Sequence, residues 1–352
     1  MSRGRETTHS SDVASAAAEA PPVPGEVGAA TAGADFPRTK SRGLFVRGNL
    51  ILIVVLVGVT VFPIVFRDNG YFLHVATLIG IYSIMSLGLN LITGFTGILS
   101  FAQAAFAGVG AYTTALLLTT YGFPYMATIP LAVFVALLAG LLLALCTLRA
   151  GGLYFSVITI GFGEIFRLLV LNWQGFTGGA TGIVGIPLPT VFGLTVRTPI
   201  QFYWLVSVFA VLSYLALKAI VGSRFGHAIK AIREDPIAAS SAGVNVKLYS
   251  VLSFTLGAAF AGLGGNLVAV FLTTISPTNF TVDESMLIVV MNVVGGLGSL
   301  PGAVVGTGLL IVTSELLRDV YQWRLLLLGV LMVAMPLWRR GGILGTKLAR
   351  RV

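Results

Sequence analysis

The chain has 352 residues, 56% of them hydrophobic and only 10% charged, where an ordinary soluble domain carries about 25% charged residues. With a mean hydropathy of +0.94, that composition excludes a soluble enzyme. The formal net charge of +9 does not point to nucleic acid, because the basic residues are sorted by position along the chain instead of gathered on one face.

Residues 1–42 are rich in Ala, Gly, Pro, Ser and Thr and hold no apolar run, so they cannot bury enough surface to fold alone. They read as a disordered cytoplasmic tail, and no short apolar region with a cleavage site makes them a signal peptide. Arg38, Lys40, Arg42 and Arg47 then precede a first apolar window at 49–66, which by the positive-inside rule puts the amino terminus in the cytoplasm. Further windows fall at 72–92, 98–118, 124–148, 152–171, 199–220, 248–273, 284–299, 301–317 and 324–337, each near the length needed to cross about 30 Å of hydrocarbon. Between Asn69 and Leu148 there is no Asp, Glu, Lys or Arg, so several consecutive spans lie there.

The expectation is an all-α polytopic membrane protein of about ten helices, with a transmembrane domain at 43–338, a cytoplasmic loop at 222–247 and a basic cytoplasmic tail at 339–352. Counting crossings places Arg149, Arg224, Lys230, Arg233, Lys247, Arg339, Arg340, Lys347, Arg350 and Arg351 inside. Only Arg67, Arg167, Arg197, Arg318 and Arg324 fall on the other side. A count of eight preserves the same asymmetry if two glycine-broken segments are re-entrant.

Those breaks are Asn90–Ser100, with Gly94 and Gly97, and Asn292–Gly302, with Gly295, Gly296, Gly298 and Pro301. A break at membrane depth frees backbone groups that only protein or a water-filled path can satisfy, and the plainer alternative is a tight turn between packed helices. Small residues at Ala104, Ala107, Gly108, Ala111 and Ala115, and at Gly257, Ala261, Gly264 and Gly265, read as close helix packing.

Catalytic chemistry is missing from the sequence. No Gly-Lys-Ser/Thr phosphate loop is present, so the chain is not expected to bind ATP, and no cofactor or metal is expected. His9, His74 and His227 are too far apart in sequence to form a helical ligand pair, and the single cysteine, Cys146, reads as a small buried hydrophobe. Glu164 is the one acidic residue well inside a predicted span, and Arg167 at i+3 is its expected partner. Asn90, Gln103, Tyr112, Glu164, Asn172 and Asn292 are candidates for a polar translocation path, with packing or interhelical hydrogen bonding as the competing use of each.

The loop 222–247 predicts two short helices broken at Glu234-Asp235-Pro236, with Asp235 as N-cap, Pro236 in the first turn and Gly243 closing the second. Phe225, Ala228, Ile229 and Ile232 form one apolar stripe beside Arg224, Lys230 and Arg233. The stripe suits either a partner's groove or the chain's own bundle and membrane surface.

Four stretches together resemble a known family: Gly88–Tyr112, Gly152–Glu164, Thr177–Ile183 and Gly226–Gly243. They are similar to the M-type permease subunits of ATP-binding-cassette importers for branched-chain amino acids. The resemblance implies a second related permease, two cytoplasmic ATPase subunits that use ATP and Mg, an extracytoplasmic binding protein, and a place in the plasma (inner) membrane with both termini cytoplasmic. It also implies that Arg224, Glu234, Asp235, Ala238, Ala239 and Gly243 couple the chain to the ATPases. The match to the family's Glu-Ala-Ala-x3-Gly motif is loose, because Pro236 is interposed. Other readings of the same composition are a urea or short-chain amide importer on the same scaffold, an ion-coupled secondary transporter, for which only Glu164 offers an acidic group, and a passive channel, for which no filter is visible.

Overall fold

The computed structural model describes residues 69–147, 152–191 and 193–316, with Pro63, Gly329 and 342–344. The expected spans at 49–66 and 324–337, the tail 1–42 and most of the basic tail lie outside these residues. Helix α1 (Gly70–Leu89) runs directly into a π-helical turn, Asn90–Phe95. It is followed by α2 (Gln103–Thr119), α3 (Tyr125–Thr147) and α4 (Gly152–Asn172). A short turn α5 (Gln174–Thr177) precedes α6 (Pro199–Gly222), α7 (Arg224–Glu234) and α8 (Pro236–Ser241). The series closes with α9 (Val246–Leu272), α10 (Val282–Gly295) and α11 (Leu300–Leu316).

Five of these, α1 with its π turn, α3, α4, α6 and α9, are long and apolar enough to cross a membrane, among the described residues. A helix apolar on every side either crosses lipid or fills a core. Here α1 and α9 form the centre and are mostly buried, while α3, α4 and α6 leave most of their apolar surface outward. Cys146 follows that outward face and is exposed, so the expectation of a buried cysteine is corrected. It sits beside exposed Leu142 and Leu145 on a helix whose outer side is itself apolar.

Close approach of backbones explains the small-residue stripes. α9 packs extensively on both α2 and α3. An added Cβ at Gly110 would lie 2.2 Å from the Gly262 carbonyl oxygen, and one at Gly265 would lie 1.8 Å from that of Ala107. The three helices are also joined by Asn266 on α9. Its side-chain amide donates to Thr114 (2.7 Å) and Thr128 (3.1 Å), and its oxygen accepts from the Tyr125 hydroxyl (3.0 Å).

The windows at 284–299 and 301–317 are the two arms of one bent element, α10 and α11 meeting at 119° across a break of four residues. With 14 residues, α10 spans about 21 Å, too short for a crossing of its own. The window at 98–118 also begins late, since residues 96–102 are irregular and α2 starts at Gln103. The segment between α5 and α6 carries two small antiparallel ribbons that hydropathy did not signal. In one, β1 (Ile183–Val184) pairs with β4 (Thr274–Ile275), and in the other β2 (Thr190–Val191) pairs with β3 (Leu194–Thr195). Helix α6 then starts from a capping box, Thr198 with Gln201, and Pro199 in the first turn.

Candidate functional site: two glycine breaks and the α7–α8 segment

Two of the predicted path residues hold the two breaks against each other. Asn90, fully buried at the start of the π turn, donates from Nδ2 to the Ser299 carbonyl and accepts at Oδ1 from the Gly298 N–H, both at 2.9 Å. Asn292, also buried, donates from Nδ2 to the Ser86 carbonyl on α1 and to Ile288 in its own helix, both at 3.1 Å. Each asparagine therefore satisfies backbone on the opposite arm. Gly94 fits under this contact only without a side chain, because an added Cβ would stand 2.5 Å from the Gly298 nitrogen.

Gln103 joins the same region at the first turn of α2. Its amide nitrogen donates to the carbonyls of Met85 (2.9 Å) and Gly257 (3.4 Å), while its oxygen is buried without a hydrogen-bond partner. The other three path candidates lie apart. Tyr112 is buried between the rings of Phe166 and Phe280, its hydroxyl unpartnered. Glu164 is only partly buried on α4, and Arg167 Nε reaches both of its carboxylate oxygens at 3.0 Å, the expected i, i+3 pair. Asn172 is exposed at the end of α4 and donates to the Leu168 carbonyl at 2.7 Å.

The irregular stretch 96–102 shows how broken backbone is satisfied inside an apolar bundle. Thr159 Oγ1 on α4 accepts from the Phe101 N–H (3.0 Å), Ser156 Oγ donates to the Leu99 carbonyl (2.9 Å), and Ser285 Oγ on α10 accepts from the Ala104 N–H (3.0 Å). Sequence reasoning passed over these hydroxyls. Their only signal is a Ser or Thr on an apolar helix, which is too common to single out.

The α7–α8 segment has the predicted two-helix form. Asp235 caps α8 by accepting from the Ile237 (2.8 Å) and Ala238 (3.1 Å) N–H groups. Gly243 ends it at φ +86°, with its own N–H on the Ser240 carbonyl and the Val244 N–H on that of Ala239, each at 3.0 Å. The apolar stripe turns inward. Ile229 and Ile232 are buried, and Ile229 shares a cluster with Leu91 and Phe95 of the first break and Leu300 and Ala303 beside the second. Of its two predicted uses, the stripe serves the chain's own bundle. What remains outward is the tip: Glu234, Asp235, Ala238 and Gly243 are exposed, Ile237 is 78% exposed, and Arg224 is exposed at the other end of α7, whereas Ala239 is buried.

Two basic residues of α7 reach inward as well. Arg233 donates from Nη1 to the Gly94 carbonyl, and the Lys230 ammonium lies 5.8 Å from the Phe95 ring centroid while donating to the Val221 carbonyl at 3.1 Å. Burial lowers both groups from their ordinary pKa values, and for Arg233 the neighbouring Glu234 carboxylate acts in the opposite direction. An arginine so placed remains charged at neutral pH. Among the described residues no group of His, Cys, Asp and Glu is arranged to hold a metal. The site has the parts of a jointed support.

The sequence model for the branched-chain amino acid transport system permease component matches residues 71–336. The chain belongs to this family. The permease is 37% identical to the high-affinity branched-chain amino acid transport system permease protein LivM of Escherichia coli K12, over 86% of its own length and 76% of that protein's. It is 25% identical to the LivH permease protein of Salmonella typhimurium, over 76% of its length and 92% of the relative's. A probable LivM permease of Methanocaldococcus jannaschii is 24% identical over 76% of this chain. No solved structure matches significantly. The permease is thus a multi-pass membrane transport subunit of the M-type, related at lower identity to the permease proteins named LivH.

Proposed function

We propose that the permease forms half of the membrane path of an importer for leucine, isoleucine and valine, paired with a second, LivH-like permease and driven by two cytoplasmic ATPase subunits. An extracytoplasmic binding protein delivers the amino acid. The observation that carries this reading is the α7–α8 segment, whose apolar stripe is packed into the bundle while a capped tip stands outward, with Glu234, Asp235, Ile237, Ala238 and Gly243 exposed. That tip has the form of a docking knob, and the high-affinity systems named for the relatives supply the substrate class.

In this reading ATP and Mg are bound by the partners, the chain contributes no catalytic group, and both termini lie in the cytoplasm of a plasma (inner) membrane protein. ATP-driven closure of the partners moves α7 and α8, and the path turns from one side of the membrane to the other. The substrate crosses because the two orientations bind it differently. Arg224, Glu234, Asp235, Ala238, Ala239 and Gly243 belong to the coupling region, with buried Ala239 seating α8 beneath the exposed tip. Asn90, Gln103 and Asn292 hold the breaks whose rearrangement opens the path, whereas Tyr112, Glu164 and Asn172, which lie apart from the breaks, serve packing and helix bonding.

The test is uptake of radiolabelled leucine, isoleucine, valine and urea into proteoliposomes holding the chain and its candidate partners, with ATP supplied or omitted. Accumulation of a branched-chain amino acid that needs ATP, the ATPases and the binding protein is the expected result. Urea accumulation alone, or uptake by the chain alone on an ion gradient, overturns it.

A further inference from the structure

We propose that Arg233 transmits movement of the α7–α8 segment to the paired glycine breaks inside the bundle, a positioning role that rests on the importer reading above. Arg233 occupies the last turn of α7, two residues before the Asp235 cap that begins the outward tip. Its guanidinium donates to the Gly94 carbonyl, and its side-chain stem covers Gly97, where an added Cβ would lie 3.2 Å from Arg233 Cγ. The acceptor lies in the final turn before the helix stops, where backbone carbonyls lack a following turn to bond.

From Gly94 the contacts continue without a gap. Gly94 packs on the Asn90 side chain, and Asn90 is bonded at 2.9 Å to both Gly298 and Ser299 of the second break. One charged residue is therefore tied to both breaks through a single intervening side chain. Around this polar line, Ile229 of α7 shares its apolar cluster with Leu91, Phe95, Leu300 and Ala303. A displacement of α7 must repack both breaks or break the Arg233 contact.

The π turn is the element suited to respond. π turns are rare, use a wider i to i+5 backbone bond, and recur at functional sites. Here the Ile98 N–H reaches back to the Ile92 carbonyl at 3.3 Å, and Thr96 and Thr93 hydroxyls bond the Leu91 and Ile98 carbonyls at 3.1 and 3.0 Å. Loss of the Arg233 donor leaves those local bonds and the apolar contact of Ile229 in place while removing the hydrogen bond that ties the last turn of α7 to Gly94. Arg233 stood outside the expected coupling set because sequence alone shows it only as one basic residue beside an apolar stripe.

The experiment compares wild type, Arg233→Ala and Arg233→Lys in the full reconstituted transporter, reading assembly, ATP hydrolysed per leucine accumulated, and amide hydrogen exchange with and without ATP. For Arg233→Ala the expected result is normal assembly, retained ATPase activity and a rise of about tenfold in ATP consumed per leucine, within the range found when one link of a coupling network is cut. Arg233→Lys, which keeps the charge but not the planar fork, should fall between the two. Exchange at 234–243 should still respond to ATP in Arg233→Ala, while the response at 90–99 is clearly diminished. A residue that merely stabilises the fold would instead lower assembly and both activities together. An unchanged ratio with an intact response at 90–99 overturns the proposal. If Arg233→Ala does not assemble, an unchanged ratio in Arg233→Lys does so. Failure of wild type to couple uptake to ATP would instead remove the importer reading itself.

Discussion

The side-chain amide of Asn90 lies 2.9 Å from the carbonyl of Ser299, a residue 209 positions away in the chain, and closes one glycine break on the other. Replacing Asn90 with Ala leaves the Ser299 carbonyl and Gly298 N–H buried without this partner. The expected cost is about 1–3 kcal/mol, the penalty for a desolvated and unpaired polar group. Asn292→Ala should cost less, since one of its two bonds is within its own helix and its Oδ1 has no partner to lose. Thermal unfolding of the purified permease in detergent reads the order, and an Asn90→Ala midpoint equal to wild type would contradict it.

Gly94 and Gly161 make a matched pair for testing the break. A Cβ at Gly94 meets Asn90 and the Gly298 backbone, whereas Gly161 on the outward face of α4 has nothing within 4 Å. Gly94→Ala should therefore lose stability and uptake together. Gly161→Ala should be neutral or gain about 0.5–1 kcal/mol, because Ala is the better helix former. Equal behaviour of the two variants in melting and uptake would show that the tight packing at Gly94 is dispensable.

Much of this arrangement is legible in the sequence, because it depends on local rules. Hydropathy locates the long helices, Asp235 and Pro236 fix the start of α8, and i, i+3 spacing pairs Glu164 with Arg167. Contacts between distant segments are not encoded locally. The stripe of Ile229 and Ile232 has the same spacing whether it faces a partner or the bundle, and nothing near Gly94 in sequence announces Arg233. Cys146 shows the complementary difficulty: in a lipid-facing helix an apolar neighbourhood is no sign of burial.

The inward turn of the stripe separates two isoleucines eight positions apart by role. Ile229 is fully buried, so Ile229→Ala should cost about 2–5 kcal/mol as a core truncation. Ile237 is 78% exposed at the tip, so Ile237→Asp should leave the melting temperature unchanged and weaken capture of the ATPase subunits. Co-purification of the ATPases measures the second effect. Undiminished capture by Ile237→Asp would move the docking surface away from the tip.

At Gly243 the constraint is conformational, since the site is open but φ is +86°. Gly243→Val should cost about 1–2 kcal/mol of local stability by forcing a left-handed backbone on a branched residue, loosening the end of α8. Gly243→Asn should be milder, because asparagine visits that region most readily among side chains with a Cβ. The expected readout is a raised ratio of ATP hydrolysed to leucine accumulated for Val and a ratio nearer wild type for Asn, with both proteins still in the membrane.

Glu164 decides between ATP-driven and ion-driven transport. An acidic group that relays protons or sodium through a membrane is normally one of several, lying inward on the path. Glu164 is instead 45% exposed and paired with Arg167, which lies five residues before the end of α4. In Glu164→Gln the arginine loses its counter-charge but is close enough to the helix end to reach polar surroundings with its long side chain. Uptake by Glu164→Gln should therefore stay near the wild-type level, depend on ATP, and be indifferent to a protonophore that collapses the proton gradient. Loss of uptake in this variant, together with protonophore sensitivity of the wild type, would put the carboxylate on an ion-coupled path and leave α7 and α8 without a motor to follow.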